Sequence, residues 1–287
     1  MPDELEHLHP DAPSGSASMT MAPQKFVAVS RENHANKAWK SVTDFSFAAQ
    51  QNLISIAANE LMQTVPVLPL GFAELSGVLT LVGITSPEPG QNYFVDSTGK
   101  WLGAYLPIAL RSYPFRMVKP EDQDNPILCV LEDSALVVET GQGEAFFTAD
   151  GSPSDAIQAM LKLLSDSANS SQRTRAAVLA LSAAGLMQPW PLKLQRGDTA
   201  LEVNGLFRIN EAALNQLDAT TLQALRDQGA LNIAYAQMFS MGQMQVLSRL
   251  GARHTQWVSK VAAPLPAELA LDFLNQGGTI SFAGLGG

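Results

Sequence analysis

The sequence predicts an α+β fold in which an antiparallel, strand-rich N-terminal half packs against a helix-rich C-terminal half, with a last strand returning to the sheet. Three observations predict it. Short β-branched and apolar runs separated by turn residues fill residues 25–150. The apolar spacing changes to a helical period after residue 151. A strand-like run, Thr279-Ile280-Ser281-Phe282, then closes the chain. With 287 residues and 46% apolar content, the chain can bury a sizeable core without staples.

Taken in order, residues 1–24 read as a disordered tail, with four prolines, four acidic residues and no Lys or Arg. His7 and His9 stand in that tail beside Glu4 and Glu6, too few ligands on too mobile a scaffold for a metal site. Residues 25–287 read as one composite domain. Its first strand is Phe26-Val27-Ala28-Val29, and a short helix is expected over 54–62. Residues 65–69 read as an extended edge because of Pro66 and Pro69, and Val78–Ile84 reads as a buried strand. Asn92 to Val95 and Lys100-Trp101 flank Ser97-Thr98-Gly99 as a tight loop. Strands follow at Ile127–Leu131 and 136–139.

Ser152-Pro153-Ser154-Asp155 is a helix start, combining a capping serine, proline in the first turn and an acid at the positive helix end. Its stripe is Ile157, Met160, Leu161 and Leu164, and a second helix is expected over 173–186. Asn204-Gly205 predicts a type I′ hairpin over 201–209. Asn210 and Asp218 read as caps of short helices, and a helix over 231–250 follows. There Met238 and Met241 extend an apolar core stripe, while Gln237, Gln243 and Gln245 are expected to face water. A short helix near 268–274 precedes the last strand, near 279–282.

Composition narrows the function classes. The formal net charge is −9, from 18 Lys and Arg against 27 Asp and Glu. The basic clusters are as small as Arg173 with Arg175, which argues against nucleic acid and against an anionic membrane surface. No apolar run is long enough to insert in a membrane. Cys129 is the lone cysteine, so no intrachain disulfide forms. With no signal-peptide core in the first ten residues, the expected location is cytoplasmic.

No catalytic motif is present. The chain has no Gly-x-Ser-x-Gly elbow, no Walker or Rossmann glycine pattern around Gly141-Gln142-Gly143, and no Cys-x-x-Cys or His-Glu-x-x-His. No cofactor, no metal and no catalytic residue is therefore expected. Cys129 lies in an apolar run, where an inert buried thiol is expected, with His34 and His254 as the bases left for a Cys–His pair. The densest chemistry lies in residues 92–115. There Asn92, Asp96, Trp101, Tyr105, Arg111, Tyr113 and Phe115 crowd together. Two readings stand: a structural knot, with Arg111 paired to Asp96 and the rings in the core, or a binding surface anchored on aromatic and Arg side chains.

The same segment carries a family resemblance. Asn92-Tyr93-Phe94-Val95-Asp96, Gly99-Lys100-Trp101, Tyr105-Leu106-Pro107 and Arg111-Ser112-Tyr113-Pro114-Phe115 resemble the central signature of the SapC family of bacterial proteins. Leu128-Cys129, Gly143-Glu144-Ala145-Phe146-Phe147, Asp150-Gly151, Gly205 to Glu211, Gly229-Ala230-Leu231, Leu271 to Leu274 and Thr279 to Phe282 continue it. Asn210 replaces a frequent Asp and Leu131 a frequent acidic residue. The tail before Lys25 has no counterpart. The resemblance implies an accessory protein from a surface-layer, export or TonB-receptor and halogenase-like gene setting, and it supplies no catalytic residue. The expectation is a non-catalytic binding protein acting on a protein or peptide partner, of unknown oligomeric state. The alternative is an enzyme or enzyme partner subunit built on Asp96, Arg111, Tyr113 and Cys129.

Overall fold

In a computed structural model of the chain, residues 25–120, 125–196 and 199–262 are described. The expected tail, the helix near 268–274 and the last strand near 279–282 lie outside them.

The architecture is α+β. Antiparallel sheets come mainly from the first half and helices from the second. The main sheet has five strands, in the spatial order Met187–Pro189, Leu206–Ile209, Leu70–Leu75, Val78–Ile84 and Leu53–Ser55. Residues 70 to 73 are buried one after another, so both faces of the central strand are covered. Two of the five strands come from beyond residue 186, so both halves of the chain build this sheet. Helix Ala230–Ser240 packs on Leu70–Leu75, and helix Asp155–Ala183 packs on Val78–Ile84.

Besides a two-stranded pair, the described residues form two three-stranded sheets. One orders Phe26–Ala28, Ile127–Leu131 and Phe115–Val118; the other centres Lys37–Trp39 between Val137–Glu139 and Glu144–Ala145. Their apolar faces meet in a second core cluster around Trp39, Phe115, Val130 and Phe146. Trp39 meets Phe115 edge to face at 4.9 Å, the arrangement that ring quadrupoles favour.

The helix Asp155–Ala183 joins the two cores. Ile157 and Met160 enter the second cluster, while Ala177, Val178 and Leu181 enter the first. The helix starts within the expected stretch, but Ser154 is its cap, accepting from the Ile157 N–H at 3.3 Å, and Pro153 precedes the cap instead of sitting in the first turn. The sequence reading divides it in two at the polar run 165–172, but the helix is continuous. No glycine or proline interrupts it, and two of its polar residues, Ser170 and Thr174, face inward. Ser170 Oγ accepts from Asn59 N at 3.0 Å, and Thr174 Oγ1 accepts from Ala58 N at 2.8 Å. Those hydroxyls satisfy the first N–H groups of the 3-10 turn Ala58–Glu60, which have no partner within the turn.

Other local readings are overturned by distant partners. Asn204-Gly205 makes no hairpin, although Gly205 does adopt φ +95°. Thr199–Val203 pairs instead with Leu192–Arg196, while Leu206–Ile209 joins the main sheet. The dipeptide is thus a crossing between sheets. Residues 54–62 split into the edge strand Leu53–Ser55, the Ala58–Glu60 turn and the helix Leu61–Thr64. Residues 65–69 are a turn, closed by Val67 and Leu68 N–H groups on Thr64 O at 2.9 Å, and the strand begins at Leu70. The helix expected over 231–250 is two, Ala230–Ser240 and Met244–Ala262, joined by a 3-10 turn at Met241–Gln243.

Gln237 faces the core rather than water. Its Oε1 accepts from Ile209 N at 2.9 Å and its Nε2 donates to Leu70 O at 3.2 Å. Ser240 Oγ accepts from Leu70 N at 2.8 Å. The ladder between the two strands stops at Phe207 and Phe72, and the amide spans the next gap as a peptide group would. Replacing Gln237 by Leu leaves a buried N–H and a buried carbonyl unpaired. We expect a loss of about 1–3 kcal/mol in urea unfolding, against less than about 0.5 kcal/mol for exposed Gln245→Ala.

Candidate functional site

Most of the aromatic and polar residues between 92 and 115 build structure. Asn92 is buried; its Nδ2 donates to Ala48 O at 3.0 Å and its Oδ1 accepts from Phe94 N at 3.0 Å. Asp96 does not pair with Arg111. Its Oδ1 accepts from Thr98 N at 2.9 Å, Thr98 Oγ1 at 2.7 Å and Lys100 N at 3.0 Å, closing its own turn. The Thr98 hydroxyl foremost, then the backbone N–H groups, holds its carboxyl below the usual range. Gly99 is needed in this turn: φ is +80° and a Cβ would collide with the Asp44 carboxylate. Val95 and Trp101 bridge the loop's two sides, as the sequence predicts.

Trp101 is buried, stacks on Phe94 at 5.2 Å and donates its indole N–H to Tyr105 O at 2.8 Å. Phe115 is buried in the second core, and Tyr113 stacks on Phe47 at 3.9 Å. The residue that fixes the segment is one that sequence reasoning missed. Glu60, 3% exposed, places Oε2 between the Tyr105 hydroxyl at 2.9 Å and the Ile108 N–H at 3.0 Å. Its Oε1 accepts from Ala57 N at 3.1 Å. Burial first, then the negative Glu60, pushes the Tyr105 phenol far above its ordinary value, so it stays a donor. In sequence Glu60 looks like a solvated helix charge, because its partners lie 45 and 48 residues away.

Held this way, the segment ends in the short helix Ile108–Arg111, which leaves Arg111 exposed. Arg111 lines a groove of about 610 Å³ together with Trp39, Ser41, Val42, Leu106 and Glu144. The other wall is the start of the long helix, where Ala156, Ala159, Met160 and Leu163 recur at helical spacing on one face. Trp39 and Glu144 are directly opposed in the antiparallel pair, which puts both side chains on one face of the small sheet. The neighbouring Gly143 permits that approach, since a Cβ there would strike the Trp39 carbonyl.

Neither the Arg111 nor the Glu144 side chain has a hydrogen-bond or ion-pair partner among the described residues. The buried indole N–H of Trp39 also lacks an acceptor there. Such an orphan donor costs about 1–3 kcal/mol. The geometry can therefore offer an apolar floor, one cation and one anion. Of the seven residues singled out from sequence, Arg111 alone lines this groove; the other six shape or pack the segment behind it.

The set Asp96, Arg111, Tyr113 and Cys129 shares no hydrogen bond or ion pair among the described residues. Cys129 is buried mid-strand, opposite Arg116 and Ala28, and burial raises its thiol pKa, which keeps it protonated and unreactive. His254 packs between Tyr93 and Trp257. His34 is wholly buried against Phe146, with Nδ1 at 3.2 Å from Ser30 O and Nε2 unpartnered among the described residues.

Desolvation lowers the His34 pKa below its ordinary 6.5. The folded state thus disfavours the proton that the unfolded chain accepts. Its stabilising contribution is complete above pH 6.5 and falls as pH drops through the interval between the two values. Asp44, Asp96, Asp150 and Asp218, held below their ordinary 3.8, act at lower pH. Chemical unfolding from pH 7 to about 5 should show stability declining with acidity, and His34→Gln should flatten that slope whatever it does to stability at neutral pH.

Comparison with known proteins bears on this site through its motifs. Neither the curated proteins nor the solved structures provide a significant match. The SapC family model matches residues 29–247, a span that holds the whole 92–115 segment, both walls of the groove and most of both cores. Since that span covers well over half of the 287 residues, the chain belongs to the SapC family.

Proposed function

We propose that this SapC-family chain is a non-catalytic accessory protein that binds a protein or peptide partner in the groove beside Arg111. Its setting is the surface-layer, export or TonB-receptor and halogenase-like context that the family resemblance implies, and its location is the cytoplasm. The observation that carries this reading is the groove itself. An arginine without an ion-pair partner, held in place by the buried Glu60 and Tyr105 network, borders an apolar floor. Arginine and aromatic residues beside desolvated apolar surface are the usual anchors of protein recognition. The acidic balance disfavours nucleic acid, and no helix among the described residues is long and apolar enough to cross a membrane.

The competing reading, an enzyme or partner subunit using Asp96, Arg111, Tyr113 and Cys129, is weaker because each of the other three is engaged away from the groove.

A photo-crosslinking residue at exposed Ala159, in the groove wall, should yield one discrete adduct in extract of the native host. The same residue at exposed Leu222, outside that wall, should not. Arg111→Ala removes no hydrogen bond found among the described residues, so it should leave the melting temperature unchanged and reduce adduct yield at least about tenfold. Equal adducts from both positions, or a yield indifferent to Arg111→Ala, would contradict the reading.

A further inference from the structure

The groove's chemistry specifies more than a partner of some kind. Its apolar surface comes from Trp39, Val42, Leu106, Met160 and Leu163, so an occupant must bring apolar side chains. At one border stands the Arg111 guanidinium, a planar fork of donors that matches a carboxylate bidentately. Elsewhere on the border stands Glu144, an acceptor of opposite sign. The two do not pair with each other, since no ion pair joins them among the described residues.

The whole chain narrows the choice further. Its net charge of −9 repels a strongly acidic partner before contact. An acid that reaches Arg111 must therefore arrive on a segment that is not net acidic, and a basic residue placed to meet Glu144 provides that balance. A small anionic metabolite would leave Glu144 and most of the apolar floor unused in a groove of about 610 Å³. A second copy of this chain would carry the same net negative charge to the interface.

Resting on the binding reading above, we propose that the groove takes a peptide segment of alternating charge. An Asp or Glu pairs with Arg111, a Lys or Arg meets Glu144, and apolar residues beside them cover Trp39, Leu106 and Met160.

A phage-displayed library of random dodecapeptides, panned on the full chain and on its variants, tests both levels. Ala159→Trp fills the groove from an exposed helix position, and Arg111→Glu inverts the anchor; the melting temperature of each checks folding. The proposal expects peptides that wild type retains and Ala159→Trp does not. They should carry an acid and a base at fixed positions and bind at least tenfold more weakly to Arg111→Ala. Panning on Arg111→Glu should replace the acid by Lys or Arg. Peptides that need the groove but show no fixed acid, or that bind Arg111→Glu equally well, overturn the charge assignment and leave the binding reading standing. If no selected peptide is sensitive to Ala159→Trp, both fall. Concentration-dependent dimers in sedimentation, abolished by Ala159→Trp, would assign the groove to a second copy and overturn the proposal.

Discussion

The buried carboxylate of Glu60 is the interaction on which the candidate site depends. A carboxylate offers only acceptors, and leaving it unpaired in the core would be costly. Here three donors converge on it: the Ala57 and Ile108 N–H groups and the Tyr105 hydroxyl. The turn that carries Glu60 is itself fixed, because Ser170 and Thr174 of the long helix accept its N–H groups. A chain of polar contacts therefore runs from the long helix through Glu60 to Tyr105 and Ile108. That chain sets where the following residue of consequence, Arg111, emerges. Polar networks of this kind favour one arrangement because any displaced member leaves a buried group unsatisfied.

The long helix has a second role. Its first turns form a wall of the groove and pack on the small-sheet core, while its last turns pack in the main core. One rigid element thus links the stability of the main sheet to the shape of the groove. The remaining wall follows from strand pairing, since the register Trp39↔Glu144 places an aromatic and an acid side by side. The groove is assembled from three regions far apart in sequence, each held by its own core contacts.

This explains what the sequence revealed and what it hid. Features decided by neighbouring residues were legible: the helix start within Ser152 to Asp155, the Asn210 and Asp218 caps, the strand Val78–Ile84, the tight loop around Gly99, and Cys129 inside an apolar strand. The 92–115 segment stands out by composition, but composition does not separate its members. In the structure it divides into residues that build and a single exposed arginine that lines the groove. Features decided by distant partners were hidden. Glu60 and Gln237 look like surface residues until the strands that they bridge are in place. The serine-rich run in the long helix looks like a linker because its hydroxyls serve a turn more than a hundred residues away. Asn204-Gly205 carries the local signal of a hairpin, yet the strands on either side find better-matched partners elsewhere.

Glu60 and Tyr105 act as one unit in holding the segment that presents Arg111. A double-mutant cycle in urea unfolding, with Glu60→Gln, Tyr105→Phe and the pair, measures this most directly. Strongly non-additive losses are expected, with an interaction energy of at least about 1 kcal/mol. Losses that add to within about 0.5 kcal/mol would show that the two side chains act independently, and would contradict it.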